Sequence, residues 1–306
     1  MISTTTPVVR GAICLGALVL SACSNEPTTV TIPTEGLATT RTVESGGVTR
    51  SYQMFVPSSV QSAVPARVII ALHPVPGNSG DMRGISAFDQ VARLLETIMV
   101  YPNATLDWAE DCDCSSADAQ GVDDVQFMRD ILDHVETTHA VDRSSVYLTG
   151  YSQGGRMAQN VACKMAGEIS GLAVVAASMS RSLGNDCAPQ GRVPFLMIHG
   201  TEDAVYPFLG SAGSVAARDV VSFWGGVNGC SPQPSAINVL DEQNDGTTVN
   251  VEQYQDCGGG TEVEFYEVVE GGHTWPNPIL FFPEASGLKT LEIDAAATIG
   301  VFFVRH

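Results

Sequence analysis

The chain has 306 residues, of which 44% are hydrophobic and 16% charged, a composition that excludes fibrous and disordered proteins and allows one large domain or two small ones. Fifteen basic against thirty-four acidic residues give a formal net charge of −19, and a surface of that sign repels phosphate backbones. We therefore expect one folded domain and no nucleic-acid partner.

The first 23 residues have the pattern of an export signal. Arg10 precedes an apolar run over 11–20, which is too short to cross a bilayer. A serine and an alanine come directly before Cys23, and this arrangement resembles the lipobox of bacterial lipoproteins, in which the cysteine becomes the lipidated first residue. We expect a signal peptide over 1–23 and favour lipidation of Cys23 over plain cleavage, with the lipid as the chain's only link to a membrane.

Residues 24–40 are rich in Ser, Thr, Pro and Gly, a composition that predicts a flexible tether. The folded domain is then expected over 41–306. These segments predict an exported protein, either a lipoprotein at the cell surface or in the periplasm, or an extracellular protein.

The pattern of apolar residues predicts the class of the domain. Two β-rich segments, 39–43 and 50–56, are joined by Glu44-Ser45-Gly46-Gly47 and are expected to form an edge hairpin. Near-continuous apolar runs, typical of strands covered on both faces, follow at 68–72, 98–101, 146–149, 172–176, 195–198 and 263–268. Helical patterns separate them, at 86–96, 125–135, 155–166, 215–227 and 292–304. The alternation predicts an α/β protein with a doubly wound, mostly parallel sheet and an antiparallel N-terminal edge.

A candidate nucleophile follows the predicted strand 146–149. Gly150-Tyr151-Ser152-Gln153-Gly154 fits the pattern G-x-S-x-G between a strand and a helix, the context that the nucleophile elbow of α/β-hydrolases requires. Glycines are needed because a Cβ in so tight a turn would meet neighbouring elements. The helix N-terminus beyond Ser152 also offers N–H groups to developing negative charge. A tight turn without catalysis is the alternative.

A serine hydroxyl needs an imidazole to take its proton. His273 lies in Glu270-Gly271-Gly272-His273-Thr274-Trp275-Pro276, a loop after the last predicted strand. Asp203 follows the strand 195–198 and would orient this base; Glu202 is the alternative acid, and a surface histidine the alternative for His273. The chain order Ser, Asp, His is the one expected of α/β-hydrolases.

The oxyanion hole should combine two backbone N–H groups. Gln153, directly after the nucleophile, supplies the first. The segment Leu72-His73-Pro74-Val75-Pro76-Gly77 follows the third strand, and proline has no N–H. Val75 is therefore the expected second donor.

Six cysteines remain beyond Cys14 and Cys23, and an even number suits disulfides in an exported protein. Cys163 with Cys187 and Cys230 with Cys257 would each close a modest loop between neighbouring elements, although the sequence leaves the connectivity open. Cys112 and Cys114 then remain; no His or Cys pair of zinc spacing accompanies them. We expect a structural bridge there and no metal.

Several motifs in order resemble the polyhydroxybutyrate depolymerase and feruloyl esterase family, from about residue 41 to 306. They are Leu72-His73, Tyr101-Pro102, Val122-Asp123-Asp124-Val125, Gly150-Tyr151-Ser152-Gln153-Gly154-Gly155, His199-Gly200-Thr201-Glu202-Asp203 and Gly271-Gly272-His273-Thr274-Trp275-Pro276. Cys230 and Cys257 match cysteines common in that family. The resemblance implies an α/β-hydrolase fold and a secreted esterase without metal or cofactor, acting on oligomeric hydroxyalkanoates or on acylated polysaccharide.

The chain departs from the family at Pro74, where the family has glycine, and at the insertion Asp111-Cys112-Asp113-Cys114. Both departures lie beside the expected acyl pocket and put the substrate in doubt. Trp108, Trp275 and Tyr206 would form a stacking wall for an aromatic acyl group, or belong to the core. Two other functions remain open: a lipid-tethered binding protein that has lost catalysis, and a serine peptidase of the same fold.

Overall fold

In the computed structural model of the chain, ten strands of the described part form one sheet in the order β1-β2-β4-β3-β5-β6-β7-β10-β9-β8. The structure describes residues 35–277, 282 and 284–306. The strands are β1 (Gly36–Ser45), β2 (Val48–Pro57), β3 (Ala66–Leu72), β4 (Ile98–Pro102), β5 (Val141–Tyr151), β6 (Gly171–Val175), β7 (Phe195–Gly200), β8 (Ala236–Leu240), β9 (Thr248–Tyr254) and β10 (Val263–Val269). The predicted signal peptide, with Cys23, lies outside the described residues.

Eight helices of the described part cover this sheet. They are α1 (Ser79–Ser86), α2 (Phe88–Leu95), α3 (Ser116–Ala119), α4 (Asp124–Glu136), α5 (Gln153–Lys164), α6 (Arg181–Asp186), α7 (Ala217–Asn228) and α8 (Ala295–Phe303). Within the described ranges, no helix is long and apolar enough to cross a membrane. The predicted helix over 86–96 is in fact α2, preceded by α1, and α1, α3 and α6 were not expected from the sequence.

The centre of the sheet is parallel, as predicted. The six consecutive strands β4, β3, β5, β6, β7 and β10 pair in parallel with one another, so their carboxyl ends meet at one edge of the sheet. The strand order and the helical crossovers are those of the α/β-hydrolase fold, which the sequence motifs implied. Loops that follow β3, β5, β7 and β10 are thereby brought to the same edge.

The N-terminal edge is an antiparallel hairpin, as expected, but β1 is longer than predicted. It begins at Gly36 and pairs with β2 over its whole length, so residues 36–40 belong to a strand and not to the tether. The turn uses Gly46 and Gly47 with φ of 60° and 79°, the left-handed values that a two-residue hairpin turn requires. Exposed polar side chains do not prevent this pairing, because the hydrogen bonds between β1 and β2 are made by backbone groups.

The opposite edge is a second antiparallel unit that the sequence analysis missed. β9 pairs antiparallel with β10, and β8 pairs antiparallel with β9. Glu252 in β9 and Glu264 in β10 are buried, and ion pairs with Arg218 and Arg305 balance their charges. The acidic residues in these strands concealed the alternation of buried positions that would have indicated β9.

Two apolar cores lie on the two faces of the sheet. One packs α4, α5 and α7 against it through side chains such as Phe127, Val161 and Trp224. The other packs α1, α2 and α8 through Met82, Phe88 and Phe302. The central strands are buried on both sides, which explains their near-continuous apolar sequences.

Three disulfides link the six cysteines of the domain: Cys112–Cys114, Cys163–Cys187 and Cys230–Cys257. Loop size favoured the second and third of these pairings, and the first joins the two cysteines that then remained. Cys112 and Cys114 also lie close to Glu110, but sulfurs joined in a disulfide are not thiolate ligands, and only the thiolate binds a metal.

Candidate active site

Ser152 lies in a sharp turn between β5 and α5. Its backbone has φ 57° and ψ −128°, a left-handed φ that is rare for a residue with a side chain. The Ser152 N–H donates to the carbonyl of Val175 at the end of β6 (3.0 Å), which ties the turn to the sheet. The side chain lies at the carboxyl edge of the sheet, and the residue is 5% exposed. Strain of this kind is typical of a nucleophile elbow.

Glycine is required at position 154 because α5 begins against the end of β3. A Cβ on Gly154 would lie 2.3 Å from the carbonyl oxygen of Leu72 and 2.5 Å from that of His73. The first turn of α5 therefore contacts the backbone that leads into the Pro74–Val75 loop. This contact brings the predicted oxyanion loop to the nucleophile.

The structure brings Ser152, His273 and Asp203 together in a continuous series of hydrogen bonds. His273 Nε2 lies 2.9 Å from Ser152 Oγ, and His273 Nδ1 lies 2.8 Å from Asp203 Oδ2. A carboxylate accepts, so Nδ1 carries the proton and Nε2 is free to accept from the serine. Glu202, the alternative acid, is exposed, and the carboxylate that is hydrogen-bonded to His273 is that of Asp203. The arrangement can transfer a proton from the hydroxyl to the imidazole.

Asp203 is itself held by its own loop. Its Oδ1 accepts from the backbone N–H groups of Val205 (2.9 Å) and Tyr206 (2.8 Å). His199 lies behind it and donates from Nε2 to the carbonyl of Tyr206 (2.9 Å). Burial lowers the pKa of His199 below its ordinary value, which keeps this histidine neutral. His199 is thus a structural hydrogen-bonding residue behind Asp203.

Tyr151 holds the loop that carries His273. Its hydroxyl donates to the His273 carbonyl (2.9 Å), and its ring is stacked on the imidazole with centroids 5.4 Å apart. The loop also contacts the end of β7, since a Cβ on Gly200 would lie 2.2 Å from the Gly271 carbonyl oxygen. Tyr151, directly before the nucleophile, therefore supports the loop that carries the base.

The expected oxyanion donors are both at this edge. Gln153 is the first residue of α5, and its backbone N–H donates to no described residue. Val75 is half-buried in the loop after β3, and its N–H likewise has no acceptor within the described ranges. The structure leaves both groups available for a ligand oxygen, and their role stays a prediction.

Of the two alternatives that the sequence left open for Trp108 and Trp275, a stacking wall or the core, the structure shows the core. Both residues are fully buried. Trp108 packs in the core on the α5 face and donates from Nε1 to the His73 carbonyl (2.9 Å), whereas Trp275 packs in the core on the α8 face. Only Tyr206 of the three is half-exposed beside the site, with its ring 5.7 Å from that of His273. Large apolar rings are more often buried in a core than exposed for recognition.

A buried ion pair next to the elbow was not foreseen. Arg156 Nε lies 2.6 Å from Glu110 Oε2, and the two side chains are 8% and 3% exposed. Burial raises the pKa of Glu110, and the charge of Arg156 opposes that effect. The sequence contained no local signal for this pair, because Glu110 resembles the many other acidic residues of the chain.

Comparisons with known proteins find esterases of similar sequence and fold. No protein-family model matches the chain. Feruloyl esterase B of Piromyces equi is 26% identical over 233 residues, 71% of this chain and 41% of that protein. Feruloyl esterase D of Neurospora crassa is 27% identical over 258 residues, 80% of each chain. Feruloyl esterase C of Emericella nidulans is 30% identical over 194 residues, 60% of this chain and 63% of that protein.

The chain is similar in sequence to feruloyl esterases. The resemblance to that family is thereby confirmed, and none of the three relatives named above is a polyhydroxybutyrate depolymerase. The chain spans less than half of the Piromyces protein and under two thirds of the Emericella protein. Among solved structures, the acetyl xylan esterase from Aspergillus awamori superposes with a TM-score of 0.59 at 15% identity, over 78% of this chain and 95% of that one. That similarity shows the fold.

Proposed function

We propose that the chain is a serine carboxylic ester hydrolase in which Ser152 is the nucleophile, His273 the base and Asp203 the residue that orients the base. The hydrogen-bonded series Asp203–His273–Ser152 is the observation that carries the proposal. Sequence relatives that are feruloyl esterases support the same reaction class.

The proposed reaction has two halves. Ser152 Oγ attacks the ester carbonyl while His273 Nε2 takes its proton, and the tetrahedral oxyanion accepts hydrogen bonds from the N–H groups of Gln153 and Val75. Protonated His273 then gives the proton to the departing alcohol, which leaves an acyl group on Ser152. Water, deprotonated by the same imidazole, attacks the acyl-enzyme and releases the acid. Asp203 stays ionised and stabilises the imidazolium in both halves.

For the substrate we propose an acyl ester on an oligomer or polymer, with acylated polysaccharide favoured because the relatives are feruloyl esterases. The burial of Trp108 and Trp275 places both outside an acyl pocket, so of the three candidate aromatic residues only Tyr206 stays available beside the site. An oligomeric hydroxyalkanoate is the other substrate class that the sequence motifs implied.

The test is hydrolysis of p-nitrophenyl acetate, p-nitrophenyl butyrate, methyl ferulate and hydroxybutyrate oligomers by the purified domain and its Ser152→Ala variant. We expect the variant to fold and to lose on the order of a million-fold in kcat. Preference for methyl ferulate would support polysaccharide esters, and preference for the oligomers a polyester hydrolase. Activity that does not depend on Ser152 would contradict the proposal.

A binding protein without catalysis is tested by a fluorophosphonate probe, which reacts only with an activated serine. Labelling of the wild-type chain but not of Ser152→Ala is expected; absence of labelling would favour the binding protein. Cleavage of peptide amides in preference to esters would favour the peptidase.

We further propose that the protein is exported and lipidated at Cys23. The three disulfides support export, because disulfides persist in oxidising compartments. Metabolic labelling with a fatty acid analogue should mark the wild-type protein and not a Cys23→Ser variant. Equal labelling of the two would contradict lipidation at this cysteine.

A further inference from the structure

The buried ion pair of Glu110 and Arg156 lies where three parts of the site meet. Arg156 is in α5, one turn after Ser152, and Glu110 is in the loop after β4. The two charged groups are almost fully buried and 2.6 Å apart. Desolvation of two charges is unfavourable and is offset only by close geometry and further contacts. Those further contacts all lead to groups of the proposed site.

The first contact leads to the nucleophile elbow. Gln153 Nε2 donates to Glu110 Oε1 (3.1 Å), and Gln153 Oε1 accepts from the backbone N–H of Trp108 (3.3 Å). The side chain of Gln153 is therefore held at both ends of its amide. Since the backbone N–H of Gln153 is a proposed oxyanion donor, these bonds restrict the direction in which it points.

The second contact leads to the loop after β7 that carries Asp203 and Tyr206, here called the acid loop. The guanidinium carbon of Arg156 lies 5.0 Å from the ring centroid of Tyr206, a distance at which a cation is attracted to an aromatic face. The backbone N–H of Tyr206 donates to Asp203, and its ring lies edge-on to the imidazole of His273. Arg156 thus contacts the acid loop at Tyr206, the residue whose backbone N–H holds the carboxylate of Asp203.

The oxyanion loop is reached indirectly, through Trp108, whose backbone N–H donates to the same Gln153 side chain that contacts Glu110. Trp108, two residues before Glu110, donates from its indole to the carbonyl of His73. His73 directly precedes the Pro74–Val75 segment, and its Nε2 accepts from the backbone N–H of Ala104 (3.0 Å). The loop that carries Glu110 therefore also fixes the backbone before the second proposed donor.

We propose that Glu110 and Arg156 are positioning residues for ester hydrolysis: their ion pair holds the elbow, the acid loop and the oxyanion loop in one geometry. The proposal rests on the hydrolase function proposed above. Neither residue touches the reacting atoms, so the pair acts through Gln153 and Tyr206. Misplacement of catalytic groups by about 1 Å costs on the order of 100-fold in rate.

The experiment compares the double variant Glu110→Met/Arg156→Met with the wild type. Removing both charges leaves no unpaired buried ion, so the fold is retained. We expect kcat to fall about 10- to 100-fold, KM to change by less than about 3-fold, and fluorophosphonate labelling of Ser152 to slow in parallel. The single variant Glu110→Gln leaves the charge of Arg156 buried without its partner, so it is expected to lose stability as well as activity. Glu168→Met/Arg129→Met, at an exposed ion pair, is the matched control and should behave as wild type.

The variant Gln153→Leu decides the question if the double variant does not fold. Its side chain is half-buried, and its backbone N–H is unchanged. A fall in kcat with KM retained supports positioning, and wild-type kcat in either variant would overturn it. Ester hydrolysis that persists in Ser152→Ala would instead overturn the hydrolase function, so the two failures are distinguishable.

Discussion

Substitution of Gly154 by alanine tests the contact between the elbow helix and the oxyanion loop. The new Cβ would lie 2.3 Å from the Leu72 carbonyl oxygen, whereas ordinary contact begins at 3.4 Å. The two groups must therefore separate by about 1 Å. Helix α5 has no room to retreat, because a Cβ on Gly155 would already lie 2.5 Å from Ala177 Cβ. The end of β3 and the Val75 loop are expected to move.

The expected magnitude follows from that displacement. A shift of about 1 Å at an oxyanion donor lowers kcat/KM on the order of 100-fold, equivalent to about 2.7 kcal/mol of barrier, and overpacking lowers the free energy of unfolding by about 1–3 kcal/mol. Hydrolysis of p-nitrophenyl acetate and urea unfolding measure the two effects.

The matched control is Gly226→Ala, at an exposed position of α7 where a Cβ meets no atom within 4 Å. It should keep full activity and raise the free energy of unfolding by about 0.5–1 kcal/mol, because alanine is the better helix former. If Gly154→Ala matched this control in both measurements, the close approach of α5 to β3 would not govern the site.

Three further predictions concern support of the site and stability. Tyr151→Phe removes the hydroxyl bonded to the His273 carbonyl; we expect kcat/KM to fall about 5- to 10-fold and the free energy of unfolding by about 1 kcal/mol, and unchanged kinetics would contradict the supporting role. Burial lowers the pKa of His199 below 6.5, so the unfolded state binds more protons as the pH falls through 6.5. The free energy of unfolding therefore falls as the pH is lowered from 6.5 toward the pKa of His199 in the folded state, by up to about 1.4 kcal/mol per pH unit. Urea unfolding at several pH values should show a weaker dependence of that free energy on pH for His199→Gln, and an equal dependence would refute this. Replacing Cys230 and Cys257 by alanine opens a loop with a separation of 27 residues and should lower the free energy of unfolding by about 3 kcal/mol. Activity should be retained, because Cys257 follows the end of β9 that pairs with the start of β10, at the edge opposite the site.

The central strands and the site loops could be predicted because their signals are local. The apolar run before Ser152 indicates a buried strand, and the glycines after it indicate a tight turn toward a helix. Once the strands are taken as parallel, residues that follow different strands must meet at the carboxyl edge. The meeting of Ser152, Asp203 and His273 could therefore be expected without any coordinates.

Edges of the sheet were less predictable because backbone pairing is insensitive to composition. Residues 36–40 look like a tether, yet β2 is available to pair with them and extends β1 to Gly36. In β9, Glu252 is buried with an arginine partner from α7. Neither feature is visible in a local window of sequence.

The sequence by itself determined the parallel α/β core, the elbow at Ser152 and the order of the three site residues, since each depends on a short run of neighbouring residues. Only the tertiary structure decided that Trp108 and Trp275 belong to the cores and that Glu110 meets Arg156. Burial and ion pairing depend on which distant segments pack together, and that is a property of the whole fold.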